Sequence, residues 1–259
     1  MQGMEEFMAI NNAQRAQIES GKGFIAALDQ SGGSTPKALS LYGVEPSDYS
    51  GDVEMFQAMH DMRARIILSD DFTSAKVIGA ILFERTMDDT INGKPVAQLL
   101  WEDRGIVPFL KIDKGLEETA SGVQLMKPMP ELDALLARAG KAGIFGTKER
   151  SVVHEADETG IAALVDQQFV VAKQVCNAGL VPIIEPEVNI HSESKAAAED
   201  MLRDALMRHV NALPEGEMVM LKLTIPEVAG QYDALAAHAN VLRVVALSGG
   251  YSTDEACAK

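Results

Sequence analysis

The chain has 259 residues and a formal net charge of −15; 47% of its residues are hydrophobic and 24% are charged. A chain this acidic is a poor partner for nucleic acid or an anionic membrane over a broad face. It has no apolar run near the roughly 18 residues of a membrane helix, and its first residues lack the basic stretch and apolar core of a secretory signal. The expectation is therefore a cytoplasmic α/β protein of barrel size, with Cys176 and Cys257 as free thiols in a reducing compartment.

In chain order, residues 4–20 predict a polar helical arm that Gly21 and Gly23 end, so 1–22 stand apart from a domain at 23–259. Phe24–Leu28 predicts the first strand; it runs into Asp29 and the small-residue loop Gln30–Thr35, and Pro36 suits the first turn of the next helix. Met55, Met59, Met62 and Ile66 recur at near-helical spacing and predict a helix over Glu54–Leu68. Apolar runs then predict strands at Ala75–Phe83, Val107–Asp113, Ile144–Arg150, Leu180–Val188, Met218–Ile225 and Val241–Leu247. Helices are expected between them, over Pro95–Glu102, Leu132–Ala139, Gly160–Ala178, Ser192–Ala212 and Glu227–His238, with Ser252 capping a last one. Such alternation means a parallel sheet wrapped in helices. Seven repeats, with no GxGxxG after the first strand, predict a TIM-type (β/α)8 barrel rather than an open dinucleotide-binding sheet. The count stops at seven strands. Either one early segment hides a strand, or the eighth strand and closing helix are missing from the C-terminus.

Barrel enzymes place their chemistry at the C-terminal ends of the strands. Those ends carry Asp29; Glu84 and Arg85; Lys111 and Asp113; Lys148 and Arg150; Glu185 and Glu187; Lys222 and Thr224; and Ser248-Gly249-Gly250. Residues two apart on a strand share a face. Solvated strand ends do not explain single charges inside apolar runs such as FLKID and MLKLT. Lys222 is the extreme case, because no charged residue lies within four positions of it on either side. An ammonium in such a run is poorly solvated, and a lysine that readily gives up its proton is a nucleophile. Lys111 has Asp113 on its own face, and Lys148 has Arg150 on its face and Glu149 beside it. Lys222 is thus the expected nucleophile and the most desolvated of the three; the competing reading is a lysine snorkelling out of a barrel rim. HExxH, CxxC, the P-loop and the nucleophile elbow are all missing, and the five histidines fall in helices or loops, so neither metal nor cofactor is expected. Ser248-Gly249-Gly250 suits a phosphate or is a common turn, and the Gln30–Thr35 loop is an oxygen-binding nest or a tight turn.

Together, GKGFIAALDQSGGSTPKAL, VPFLKIDKGL, GVQLMKP, FGTKERS, GLVPIIEPEVNI, VMLKLTIP and VVALSGGYS resemble the class I fructose-bisphosphate aldolases in their bacterial form. The resemblance implies a (β/α)8 barrel that cleaves a phosphorylated ketose through a lysine Schiff base, without metal, in glycolysis and gluconeogenesis. It puts the imine lysine on Lys222, the acid–base glutamate on Glu185 and the aspartate of carbon–carbon cleavage on Asp29. Lys111 and Lys148 become the accessory lysines, and Arg150 the substrate-contacting arginine. Ser248, Gly249 and Gly250 would hold one phosphate, with Ser31 and Ser34 near the other. The family's eighth strand and its phosphate-binding residues find no match here, which implies a C-terminally truncated chain. The alternatives are another Schiff-base lyase or a catalytically inactive truncated chain; a homo-oligomer is compatible with either.

Overall fold

Apolar runs of five to eight residues, too short for a core helix, become buried parallel strands when helices cover both faces. That principle organises the structure, a computed structural model that describes residues 12–31 and 35–259. It divides into two compact units. One comprises residues up to Lys111 together with Arg138–Phe145, and the other comprises Ile112–Ala137 and Gly146–Lys259.

In the first unit, helix α1 covers residues 12–20; the rest of the expected arm lies outside the described residues. Strand β1 (Phe24–Leu28) is followed by α2 (Thr35–Leu41), a 3-10 turn at Pro46–Asp48, and α3 (Gly51–Leu68). Met55, Met59 and Met62 of α3 pack on Leu39 of α2, the face predicted from their spacing. Strand β2 (Val77–Leu82) is buried along its whole length, and α4 (Glu84–Asp88) follows it directly. A two-stranded hairpin, β3 (Thr90–Ile91) with β4 (Lys94–Pro95), turns through Asn92 and Gly93, both at positive φ (53° and 76°). Asn-Gly is the preferred pair for that turn, so the hairpin was readable although the sequence reading left it out. Helix α5 (Val96–Gln98) runs into a π-helical turn at Leu99–Asp103, and β5 (Val107–Lys111) completes the unit's strands. They pair in parallel in the order β1–β2–β5.

The second unit begins with the loop after β5 and a short strand β6 (Val123–Gln124), which pairs antiparallel with the end of β7 (Gly146–Val153). The division between the units falls within α6 (Leu132–Lys141). Helix α7 (Glu158–Asn177) follows, started by the Asp157 side chain accepting from Gly160 N–H. Then come β8 (Val181–Val188), α8 (Lys195–Asn211), β9 (Val219–Thr224), α9 (Asp233–Ala236), β10 (Val241–Leu247) and α10 (Thr253–Ala258). Strands β7, β8, β9 and β10 pair in parallel in that order. Leu164, Val165 and Ala172 of α7, Leu202 and Leu206 of α8, and Ile184, Val219 and Leu221 of the sheet form one core. The seven expected strands are all present. The helix expected over Glu227–His238 is only Asp233–Ala236. Gly230 sits at φ 79°, a left-handed turn that a continuous helix cannot contain. The strand expected to end at Arg150 runs on to Val153, because β6 and β8 both bond to its last turn of sequence.

Thr224 ends β9 with a double contact. Its hydroxyl accepts from Val188 N–H (2.9 Å) and donates to Val188 O (3.1 Å) in a buried setting. Thr224→Val keeps the shape and strands both backbone groups. It is expected to destabilise the protein by about 1–3 kcal/mol, read as a lower urea midpoint with an unchanged slope, whereas Thr224→Ser should recover most of the loss.

Candidate active site

Three neighbouring strands of the second unit each turn alternate side chains to one face. Strand β7 contributes Lys148 and Arg150, β8 contributes Glu185 and Glu187, and β9 contributes Met220, Lys222 and Thr224. Register brings them level. Arg150 is opposite Glu185, and Ile184 is opposite Leu221, which puts Glu185 next to Lys222. Lys222 meets its level partner, whereas the side chains of β7 reach two residues further along β8. Lys222 Nζ lies 2.8 Å from Glu185 Oε1, and Lys148 Nζ lies 3.2 Å from Glu185 Oε2. The second is a charge contact rather than an aligned hydrogen bond. Arg150 Nε donates to Glu187 in the same diagonal sense. Asp113, two residues beyond the end of β5, sits 3.9 Å from Lys148 Nζ, and Ile112 N–H donates to Lys148 O at 2.9 Å.

Burial ranks the lysines differently from the sequence. The Lys148 side chain is 3% exposed and that of Lys222 is 17% exposed. Lys222 is therefore not the most desolvated lysine, and it is not isolated from charge. The sequence argument counted neighbours along the chain, whereas its partner comes from the next strand. The more open position leaves the Lys222 ammonium reachable from outside, which a nucleophile requires, while Lys148 is enclosed between Glu185 and Asp113. The role of Asp113 beside Lys148 was missed, because its i, i+2 relation to Lys111 pointed to that lysine instead.

The backbone beyond Lys222 is fixed by a second set of charges. Lys195, the first residue of α8 and itself buried, donates to Ile225 O (2.9 Å) and to Glu199, and lies 3.2 Å from Glu227 Oε1. Glu199 accepts in turn from Glu227 N–H (3.0 Å). Ile225 N–H donates to Leu247 O (3.1 Å), tying this segment to the end of β10. There the chain turns through Ser248, Gly249 and Gly250. The two glycines have φ of 65° and 115°, and a Cβ on Gly249 would lie 2.8 Å from Ile190 Cγ2. Only glycine fits that position.

Of the remaining predicted site residues, Asp29 and Ser31 follow β1, and Lys111 is the last residue of β5, all in the first unit. Ser34 lies outside the described residues.

Three comparisons bear on this arrangement. The family model described as fructose-bisphosphate aldolase class-I matches residues 9–229. A protein from a Synechocystis strain, named fructose-bisphosphate aldolase class 1, is 57% identical over 246 residues, which are 95% of this chain and 82% of that protein. The solved structure of a fructose-bisphosphate aldolase from Plasmodium falciparum superposes with a TM-score of 0.70 at 21% identity, over 96% of this chain and 78% of that one. That likeness, at the level of the fold, is to a TIM-type α/β protein.

On the opposite face of β7, Glu149 is fully buried and neither carboxyl oxygen has a hydrogen-bond partner. Burial, reinforced by the charge of Asp113 and opposed by Lys148, pushes its pKa well above the ordinary 4.5. The folded state therefore holds this proton more tightly than the unfolded chain does. The stability this confers is complete below the ordinary value and is lost as pH rises toward the raised one. Glu149→Met should flatten that decline and raise the urea midpoint at pH 8 more than at pH 5. An equal change at both pH values would show that packing, not the proton, governs this position.

Proposed function

For this chain, which belongs to the class I fructose-bisphosphate aldolase family, we propose a division of roles among its own residues in the cleavage of fructose 1,6-bisphosphate. The enzyme is a lyase, and class I aldolases work through a Schiff base. The Lys222 amine adds to the C2 ketone. Glu185 takes the proton that the amine gives up and returns it to the carbinolamine oxygen, which leaves as water. The iminium so formed draws in the electron pair of the C3–C4 bond while Asp29 takes the proton of the C4 hydroxyl, and glyceraldehyde 3-phosphate departs. Protonation of the enamine and hydrolysis of the imine release dihydroxyacetone phosphate and regenerate the amine. Lys148 keeps Glu185 in place between turnovers. Lys111 and Arg150 supply further positive charge to the substrate. Ser248, Gly249 and Gly250 hold one phosphate through the turn after β10, and Ser31 and Ser34 hold the other.

The observation that carries this reading is the Glu185 carboxylate, 2.8 Å from Lys222 on one oxygen and 3.2 Å from Lys148 on the other. A general base must lie within hydrogen-bond reach of the proton it moves, and Glu185 does. In an acidic protein, the local cluster of Lys148, Arg150 and Lys222 suits a phosphorylated substrate. The two free thiols, Cys176 and Cys257, suit a reducing cytoplasm.

Borohydride added with dihydroxyacetone phosphate should fix a three-carbon phosphate adduct on the peptide that contains Lys222. Adducts on Lys111 or Lys148 instead, or none, would overturn the assignment. Glu185→Gln should lower kcat by roughly 10²–10⁴-fold, as expected for loss of a positioned acid–base group, and should slow borohydride trapping in parallel. An unchanged trapping rate would move the proton-transfer role to another residue.

A further inference from the structure

The first unit carries a cleft of about 410 Å3 between α3 and α4, in the size range of small-molecule sites. Its walls are Val53, Phe56 and His60 from α3 and Arg85 from α4, with Arg63 and Thr86 at its base. The charges are distributed in an informative way. Asp88, on the rim, lies 3.3 Å from Arg138 Nε. Asp89 lies 3.4 Å from His60 Nδ1 and accepts from Thr90 N–H at 2.7 Å. Both carboxylates thus have partners of their own. Arg85 makes no ion pair among the described residues. Its exposed guanidinium lies 4.0 Å over the Phe56 ring, which holds the fork in one plane.

Arg63 is 2% exposed. It donates to the Thr86 hydroxyl (2.7 Å) and to Gln30 O (2.6 Å), and its Nε has no partner. These hydrogen bonds go to neutral acceptors, and the negative charge acting on this buried guanidinium is that of Asp29. Burial pulls its pKa down to about 10, opposed by the charge of Asp29.

We propose that this cleft is a second ligand site, separate from the lysine–glutamate centre of the other unit, and that it binds a small molecule through a phosphate group. Arg85 would take the phosphate on its planar fork, the geometry in which arginine binds such anions bidentately. Arg63 would add a buried positive charge beneath it, and Val53 and Phe56 would cover an attached apolar body. Arg63 also spans from this cleft to the backbone of Gln30, the residue after Asp29. The anion and the β1 loop therefore draw on the same guanidinium.

The test is a titration of the intact protein with inorganic phosphate and, separately, with phenyl phosphate, following the Phe56 and His60 ring resonances by NMR. Saturable shifts at both rings are expected, weakened about tenfold or more in Arg85→Gln, as for loss of a hydrogen bond to a charged group. Cleavage activity without added anion should be unchanged in that variant, since Arg85 is exposed and outside the catalytic set. Tighter binding of phenyl phosphate would identify an ester as the ligand class, and equal binding would identify free phosphate. Absence of saturable shifts at Phe56 and His60, or equal shifts in Arg85→Gln, would overturn the proposal.

Discussion

Everything at the candidate centre depends on one carboxylate held between two ammonium groups. Glu185, Lys148 and Lys222 come from three adjacent strands, and two of the three side chains are almost wholly enclosed. A buried charge is tolerated only with a partner, and removing one member of a buried pair costs about 3–5 kcal/mol because the other is left unmatched. The trio is therefore held in place by its own electrostatics as well as by packing. Asp113, 3.9 Å from Lys148, adds a second carboxylate, so the two ammonium groups face two negative charges. The same charges that constrain the fold place a carboxylate within hydrogen-bond reach of the Lys222 ammonium.

Around that trio the structure separates two kinds of polar residue. Lys195, Glu199 and Thr224 are buried and bonded, and they fix the backbone at the ends of β8 and β9. Glu149 is buried and unbonded, on the helix-facing side of the same strand that carries Lys148 and Arg150. It is the less economical feature, because a carboxyl without hydrogen bonds loses its hydration with nothing in return. Among the described residues no hydrogen bond offsets this loss.

The sequence made the strands, their order and the identity of the central charged residues legible for a single physical reason. A charge inside an apolar run has to be explained by something outside that run. Glu185 and Lys222 stood out in that way, whereas Lys148, with Glu149 and Arg150 beside it, was picked out by its place at a strand end. What stayed hidden depended on neighbours across strands. Chain neighbours made Lys222 look isolated, whereas Glu185 on β8 is its partner, and Lys148 is the more enclosed of the two. Asp113, two residues after Lys111 in the chain, also stands beside Lys148 from another strand, which the sequence did not show. The shortened α9 followed from a backbone turn at Gly230 that helical periodicity does not register, and the hairpin at Asn92-Gly93, too short for a strand signal, was legible only in its turn pair. Arg85 and Phe56 come from different helices, so their stacking leaves no trace in either segment alone.

The trio also has the character of a parity code. Each strand presents its functional side chains only on every second position, so the centre exists at one phase of three strands at once. A single-residue deletion early in β8 would replace Glu185 and Glu187 on the working face by Pro186 and Val188, leaving the composition nearly intact and the centre without a carboxylate. A two-residue deletion would keep the face and move the carboxylates one step along it. Length changes in these strands should therefore be tolerated in even numbers far better than in odd ones, while the loops between them, which carry no phase, can vary freely. Divergence in such a sheet is gated by counting before it is gated by chemistry.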